Sequence, residues 1–311
     1  MHEYSSSDNY NTIKQLITNK YNNNGLKYVL LFGDYEEVNS YMRGGINETA
    51  YQTILNEKVT EAASDISYGI INNEYKIIIG RLSPGDNFYY YYHATLELND
   101  NEKKENIQNQ VDKIIDYENK IDIIDLDNLG SNQWMKNIMG IASNEGSGYG
   151  IDNMSDSEFM RQELLRYKNN LNCKYIELFQ GSELAGTTDG INITDQYGDP
   201  NKEEVIAYIN SGISVLLYAG HASEIELSTT GFSSTDVELL EENNKYHLGC
   251  IVGCSIGSHD EDYMTLAESL QVAKNKGSIA FFGSSILQSW TPPMYMQRQL
   301  NTEILNSTGI K

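Results

Sequence analysis

The chain has 311 residues, 40% of them hydrophobic, enough for one large α/β domain or two smaller ones with a sizeable core. Its 44 acidic and 22 basic residues leave a net charge of −22, which argues against nucleic acid as a partner, since phosphate binding relies on Lys and Arg; simple solubility, a cationic peptide partner or a calcium-containing medium all fit it. Three cysteines make no disulfide framework, no run of about 18 apolar residues provides a transmembrane segment, and the start MHEYSSSDNYN lacks the basic and apolar regions of a signal peptide.

In chain order, the first dozen residues are polar and read as loose. Residues 11–21 carry Ile13, Leu16 and Ile17 at helical spacing, and residues 22–25 stop the helix. Residues 28–32, YVLLF, read as a buried strand ended by Gly33-Asp34. Residues 35–65 read as a surface excursion around Gly44-Gly45. Residues 66–71 and 75–82 read as two strands about an Asn72-Asn73 turn. The tyrosine run 89–92 follows Pro84-Gly85 and reads as packing, in a strand pair or a loop. Residues 101–120 predict a surface helix through Ile107, Val111, Ile114 and Ile115.

From residue 134 strands and helices alternate: a strand in 134–143, a helix over 155–171 with Ser155 and Glu158 at capping-box spacing, and a strand over 174–179. A long glycine-bearing loop spans 180–198, and Asp199-Pro200 opens a helix with proline in its first turn. The strand ending at His221 follows. Then come a short helix over 235–243 capped by Thr235 and Glu238, the strand ending at Cys254, a helix over 263–276 closed by Gly277, a strand over 278–285, and a last helix opened by Pro293. This order predicts an α/β fold, a three-layer sandwich whose mostly parallel sheet has helices on both faces. A smaller α/β subdomain precedes it, dividing the chain at 1–133 and 134–311. No Gly-rich phosphate loop and no His-x-x-x-His or Cys-x-x-Cys pair is present, so zinc is not expected.

The stretch 215–257 concentrates the chemistry. VLLYAGHASE and LGCIVGCSIG each end an apolar run in glycine followed by a reactive side chain, His221 and Cys254. Ligands of open α/β sheets bind beyond the carboxyl ends of strands. A cysteine and a histidine emerging there from neighbouring strands suit a thiolate nucleophile with an imidazole acid–base. Backbone N–H groups of the turns at Ala222 and Cys254 would serve an oxyanion. Cys250, mid-strand and roughly 13 Å from Cys254 along it, reads as inert packing too far away for a disulfide. Of the other histidines, His2 lies in the terminus, His93 in the tyrosine run and His247 at the far end of the cysteine strand, while His259 is a backup base.

ISVLLYAGHASE, CIVGCSIG and AESLQVAKNKGSIAFFGSSILQSWTPPMYMQ together resemble the gingipain-type cysteine peptidases, which share a caspase-like sheet with clostripain and the caspases. The resemblance extends to IASNEG at 141–146, QVDKIIDYE at 110–118 and YVLLFGD at 28–34. It implies Cys254 as nucleophile, His221 as catalytic histidine and Glu145 as the acid that orients it. It also implies Asp156 at the base of a specificity pocket and Trp290 beside that pocket. The plainer alternatives are a solvated loop acid for Glu145, an acid favoured by the helix dipole for Asp156 and a packing residue for Trp290. By the same resemblance the substrate is a peptide or protein cut after a basic residue, Arg favoured over Lys by bidentate geometry, and the chain is secreted or surface-attached. No cofactor is implied for the chemistry. A structural calcium near the Gly33-Asp34 turn, with Asp34 as ligand, is implied, although the loop at 72–75 is shorter than the family's.

Ala222 departs from the family's glycine, and the segment between Glu145 and Asp156 is not otherwise close. Against the family, the chain begins after the first strand and helix of the peptidase region and stops before its final strand segment, so a fragment or a trimmed variant is expected. The leading expectation is an endopeptidase. A sortase-like transpeptidase and a non-catalytic binding module are the alternatives.

Overall fold

The computed structural model describes residues 10–43, 62–85, 88–90, 94–122, 129–181, 193–195 and 198–306. The chain divides into two compact units, residues 1–107 with 258–264, and residues 108–257 with 265–311.

In the first unit, helix α1 (Tyr10–Asn24) buries Ile13 and Ile17 in a small core with Leu31, Tyr68, Ile71 and Ile77. Strands β1 (Tyr28–Phe32) and β2 (Ile78–Leu82) pair in parallel. The sequence predicts β1 buried on both faces, but Leu31 alone of the five is buried, while Tyr28, Leu30 and Phe32 are at least half exposed. A continuous apolar run implies two covered faces; here the core lies against one. The Asn72-Asn73 turn is present, both residues at positive φ as a two-residue hairpin requires. It joins Ile70–Ile71 to Glu74–Tyr75, while residues 66–69 form a helical turn instead of strand. The Arg81 guanidinium binds both Asp65 oxygens and the carbonyls of Gly33, Asp34 and Val38. Phe88–Tyr90 pairs with Ala94–Leu96. The expectations for the first nine residues, for Gly44-Gly45, for His2 and for His93 lie outside the described residues.

Helix α2 (Asp100–Asp122) begins in the first unit and ends in the second. The second unit holds six parallel strands, β3 (Asn137–Ala142), β4 (Lys174–Phe179), β5 (Ile193–Asp195), β6 (Val215–Ala219), β7 (His247–Val252) and β8 (Ser278–Phe282), in the order β5-β4-β3-β6-β7-β8. Alternate side chains face opposite layers. Ile138, Ala142, Leu217, Ala219 and Val252 pack with helices α3 (Asp156–Leu171) and α6 (Thr291–Asn306). Met139, Ile141, Leu216, Tyr218 and Ile251 pack with α4 (Lys202–Ser211) and α5 (Leu266–Val272). The result is the expected three-layer sandwich.

Several boundaries moved for physical reasons. The α4 cap is Asn201, whose side chain accepts from the Glu204 N–H, so Pro200 stands outside the helix. The short helix is a 3-10 turn over Ser234–Leu239, where Asp236 accepts from the Ser233 N–H, two residues earlier than the Thr235–Glu238 pairing. Helix α5 covers seven residues of the expected fourteen, 263–276. Thr265 and Glu268 cap its start, and the Lys113 ammonium takes the carbonyls of Leu270, Lys276 and Ser278 at its far end. Edge strand β5 falls inside the expected loop 180–198, most of which lies outside the described residues.

Candidate active site

The chain leaves β3 towards β4 and β5, then returns on the other side of β3 as β6. The carboxyl ends of β3 and β6 therefore flank the switch point where such sheets form a ligand crevice. Beyond β3 comes Glu145, and beyond β6 comes His221. Ala219 pairs with Val252, and the Gly220 N–H donates to the Val252 carbonyl, continuing the ladder. His221 and Cys254 each follow two residues beyond that last pair, on adjacent strand ends. The adjacency expected from chain order is present.

His221 Nε2 and Glu145 Oε2 are 2.8 Å apart, both side chains about half exposed. The Tyr218 hydroxyl donates to the His221 carbonyl and bonds Thr229, and the Ser228 N–H also donates to that carbonyl, so the histidine backbone is held from two directions. Its ring meets Trp290 edge-on, centroids 5.6 Å apart. The partly exposed Cys254 Sγ donates to the Gln288 carbonyl at 3.8 Å. By contrast, burial pushes the Cys250 thiol up to about 12 and the Cys173 thiol to about 11, so both stay protonated. All three cysteines are free.

Ala222 and Leu227 form an antiparallel bridge whose bonds run from Ser223 to Glu226 and from Ser228 to His221. That pattern leaves the Ala222 N–H outside the ladder. Neither it nor the Cys254 N–H has an acceptor among the described residues. The φ of Ala222 is not positive, so alanine fits the family's glycine position without strain. Its methyl group takes the space a Cβ on Gly253 would need, 2.7 Å away.

Asp156 is the first residue of α3 and 1% exposed. Ser155 caps the helix with both capping-box bonds formed. The Asp156 N–H donates to the Glu145 carbonyl, and the Ser143 hydroxyl donates to Asp156 Oδ2 at 2.5 Å. Oδ1 is buried without a hydrogen-bond partner of good geometry, and the nearby Trp290 indole favours its ionised form. Burial raises the Asp156 carboxyl to about 6, against the pull of Ser143, Trp290 and His221, with Glu145 adding to the rise. Thus Glu145, His221, Ala222, Cys254, Asp156 and Trp290 gather at one end of the sheet.

His259, clustered with the first unit, has its Nε2 2.9 Å from Ser40 Oγ and 3.8 Å from Asp65. Asp34 is buried in the first unit, accepting from the Glu36 and Glu37 N–H groups, with the Lys103 ammonium 3.8 Å away. Its Oδ2 is buried without a hydrogen-bond partner, and no cluster of three or more His, Cys, Asp or Glu suited to a metal exists among the described residues. His247 sits at the amino end of β7, away from the crevice.

Sequence reasoning missed Ser143, Tyr218 and Gln297. The buried Gln297 amide donates to the carbonyls of Tyr218 and Cys250, tying together the strands that carry histidine and cysteine. A glutamine inside a terminal helix carries no sequence signal for that task.

Solved structures share this architecture. The crystal structure of the Arg specific cysteine proteinase gingipain R matches with a TM-score of 0.70 at 24% identity, over 96% of this chain and 58% of that one. The complex of Porphyromonas gingivalis RgpB pro- and mature domains matches with a TM-score of 0.71 at 24% identity, over 95% and 59%. Gingipain R2 of P. gingivalis is 30% identical over 304 residues, 95% of this chain, and Lys-gingipain HG66 is 29% identical over 104 residues, 33% of this chain. The chain spans 33% of the length of Gingipain R2 and 6% of that of Lys-gingipain HG66. Among the described residues no helix is long and apolar enough to cross a membrane. The Peptidase family C25 pattern matches residues 1–88 and 101–310, and the chain belongs to that family.

Proposed function

We propose that the chain is a cysteine endopeptidase that cleaves after a basic residue, with Cys254 as nucleophile, His221 as acid–base and Glu145 as the group that orients the imidazole. The observation that carries the reading is that His221 and Cys254 each follow two residues beyond the last paired residues of adjacent strands, Ala219 and Val252, with Glu145 2.8 Å from the imidazole. In this mechanism the thiol gives its proton to His221, and the thiolate adds to the scissile carbonyl carbon. The oxyanion takes the N–H groups of Ala222 and Cys254. The imidazolium then gives its proton to the departing amine. The resulting thioester is cleaved by water that His221 deprotonates, which frees the acid and restores the thiol.

Asp156 faces the substrate's basic side chain. Arg is preferred to Lys because a carboxylate grips a guanidinium through two parallel bonds. The solved relative described as Arg specific, and the match to Gingipain R2 over most of this chain, support that preference. A place of work outside the cell or at its surface belongs to the same reading.

The test is an acyloxymethyl-ketone probe with Arg at its first position, mapped by mass spectrometry on wild type, Cys254→Ala and Asp156→Ala. Labelling is expected at Cys254, absent in the first variant and weakened in the second. Hydrolysis of an Arg peptide by Cys254→Ala should fall at least about a thousandfold. A folded chain that takes no label, or a Cys254→Ala variant that still cleaves, would overturn the proposal.

A further inference from the structure

Beyond the crevice, on the side away from Cys254, lies a cavity of about 630 Å³ between the carboxyl ends of β3 and β4 and the first two turns of α3. Met154, Leu165 and Phe179 supply its apolar walls; Asn144, Gln162 and Gln180 supply amides at its rim. Its two formal charges are engaged. Arg161 grips the fully buried Glu177 through two bonds of 2.9 and 2.5 Å and lies over the Phe179 ring, and Glu158 accepts from the Ser155 N–H. A basic guest would meet Arg161, and an acidic one would meet Glu158. A large uncharged side chain meets apolar surface and neutral amides.

Two residues of the cavity wall are chain neighbours of the proposed substrate site. Asn144 precedes Glu145, and Ser157, also in its wall, follows Asp156. The strand order sets which part of a substrate reaches it. Along the carboxyl edge the succession is β7 with Cys254, β6 with His221, β3 with Glu145, then β4. The group that protonates the departing amine must stand beside it, so the leaving half of the substrate runs from Cys254 past His221 towards β3 and β4. We propose that this cavity is a second specificity pocket, taking a large apolar or aromatic side chain from the substrate segment on the carboxyl-terminal side of the cleaved bond. The proposal rests on the peptidase reading above.

The test uses the full chain and quenched peptides with Arg before the cleaved bond. Each of the three positions after that bond is varied among Ala, Leu, Phe, Glu and Lys. A single-residue Arg-amide reporter, with no peptide on the leaving side, is the control for the chemistry. One leaving-side position should favour Phe or Leu over Ala by about tenfold in kcat/KM, with Glu and Lys below Ala. Leu165→Arg, which fills the cavity, should bring that ratio near one. Gln162→Trp, at an exposed helix position where folding is tolerant, should do the same by crowding the rim. Both should leave reporter hydrolysis unchanged. A ratio that survives in both variants, a preference confined to the amino-terminal side, or no preference at any leaving-side position overturns the pocket while leaving the peptidase reading intact. A wild-type chain that fails on the reporter overturns both.

Discussion

A Cβ at position 146 would stand 2.6 Å from the Trp290 indole nitrogen and 2.8 Å from Asp156 Oδ1, and the φ of +76° there strains any residue but glycine. Gly146→Ala must therefore shift the tryptophan or the carboxylate. The expected outcome is a loss of about 1–2 kcal/mol of stability and a KM for Arg peptides raised about tenfold, with kcat less affected. Thermal melts and steady-state kinetics read the two effects, and an unchanged KM would remove Trp290 and Asp156 from substrate binding. Asp156 itself carries a second prediction. Its carboxyl sits at about 6 when folded, against the ordinary 3.8. Between these values the folded chain holds a proton that the unfolded chain has released. The sign follows: stability declines as pH rises through the window, and above pH 6 the cost is roughly 3 kcal/mol. Asp156→Asn should raise Tm at pH 7.5 but not at pH 3.5. It should lower kcat/KM for Arg peptides by about a hundredfold or more, since a buried neutral amide gives a guanidinium no counter-charge. In wild type that kcat/KM should climb through pH 6 as the carboxylate ionises; a flat profile would count against Asp156 as the recognising acid.

At the scale of elements, strands β6 and β7 were legible because each is a short apolar run closed by glycine, and α3 was legible because Ser155 and Glu158 mark its cap within four residues. The features that escaped depend on partners distant in the chain. β1 reads as doubly buried until its single packed face is seen. α5 gives up its last turn to carbonyl bonds with Lys113, more than 150 residues earlier. The edge strand β5 is three residues long and has no pattern to declare it. His221 and Cys254 were proposed from their own flanking residues and the family resemblance, whereas Tyr218 and Gln297 act through carbonyls that any residue offers. His247, conspicuous in the sequence, joins strands instead. It is fully buried, its Nε2 3.0 Å from Ser278 Oγ on β8, and its Nδ1 has no partner. Burial, helped by Lys113, lowers it to about 3. The unfolded chain takes up a proton near pH 6.5 that the folded chain refuses until about 3. Stability should fall on acidification through this window at about 1.4 kcal/mol per pH unit. His247→Phe should remove that share of the slope in paired denaturation curves. Parallel curves for the two proteins would mean the imidazole is not held neutral.

For the molecule as a whole, a net charge of −22 over 311 residues sets a long-range field that no single contact describes. A cationic peptide diffusing towards such a surface is drawn in, and the attraction reaches about 10 Å at 0.1 M salt and shortens as salt rises. The proposed grip of Asp156 on one basic side chain would be shielded by its burial and far less sensitive to ions. The two effects therefore separate by salt. For a peptide with four positive charges, kcat/KM should fall about tenfold between 20 and 300 mM salt. For a peptide whose lone charge is the Arg at the cleavage point, the fall should be within about threefold. kcat should hold in both, because steering acts on encounter and not on the bound state. Equal salt slopes for the two peptides would mean that the acidic surface serves solubility alone, and that selection of basic substrates rests entirely on the crevice.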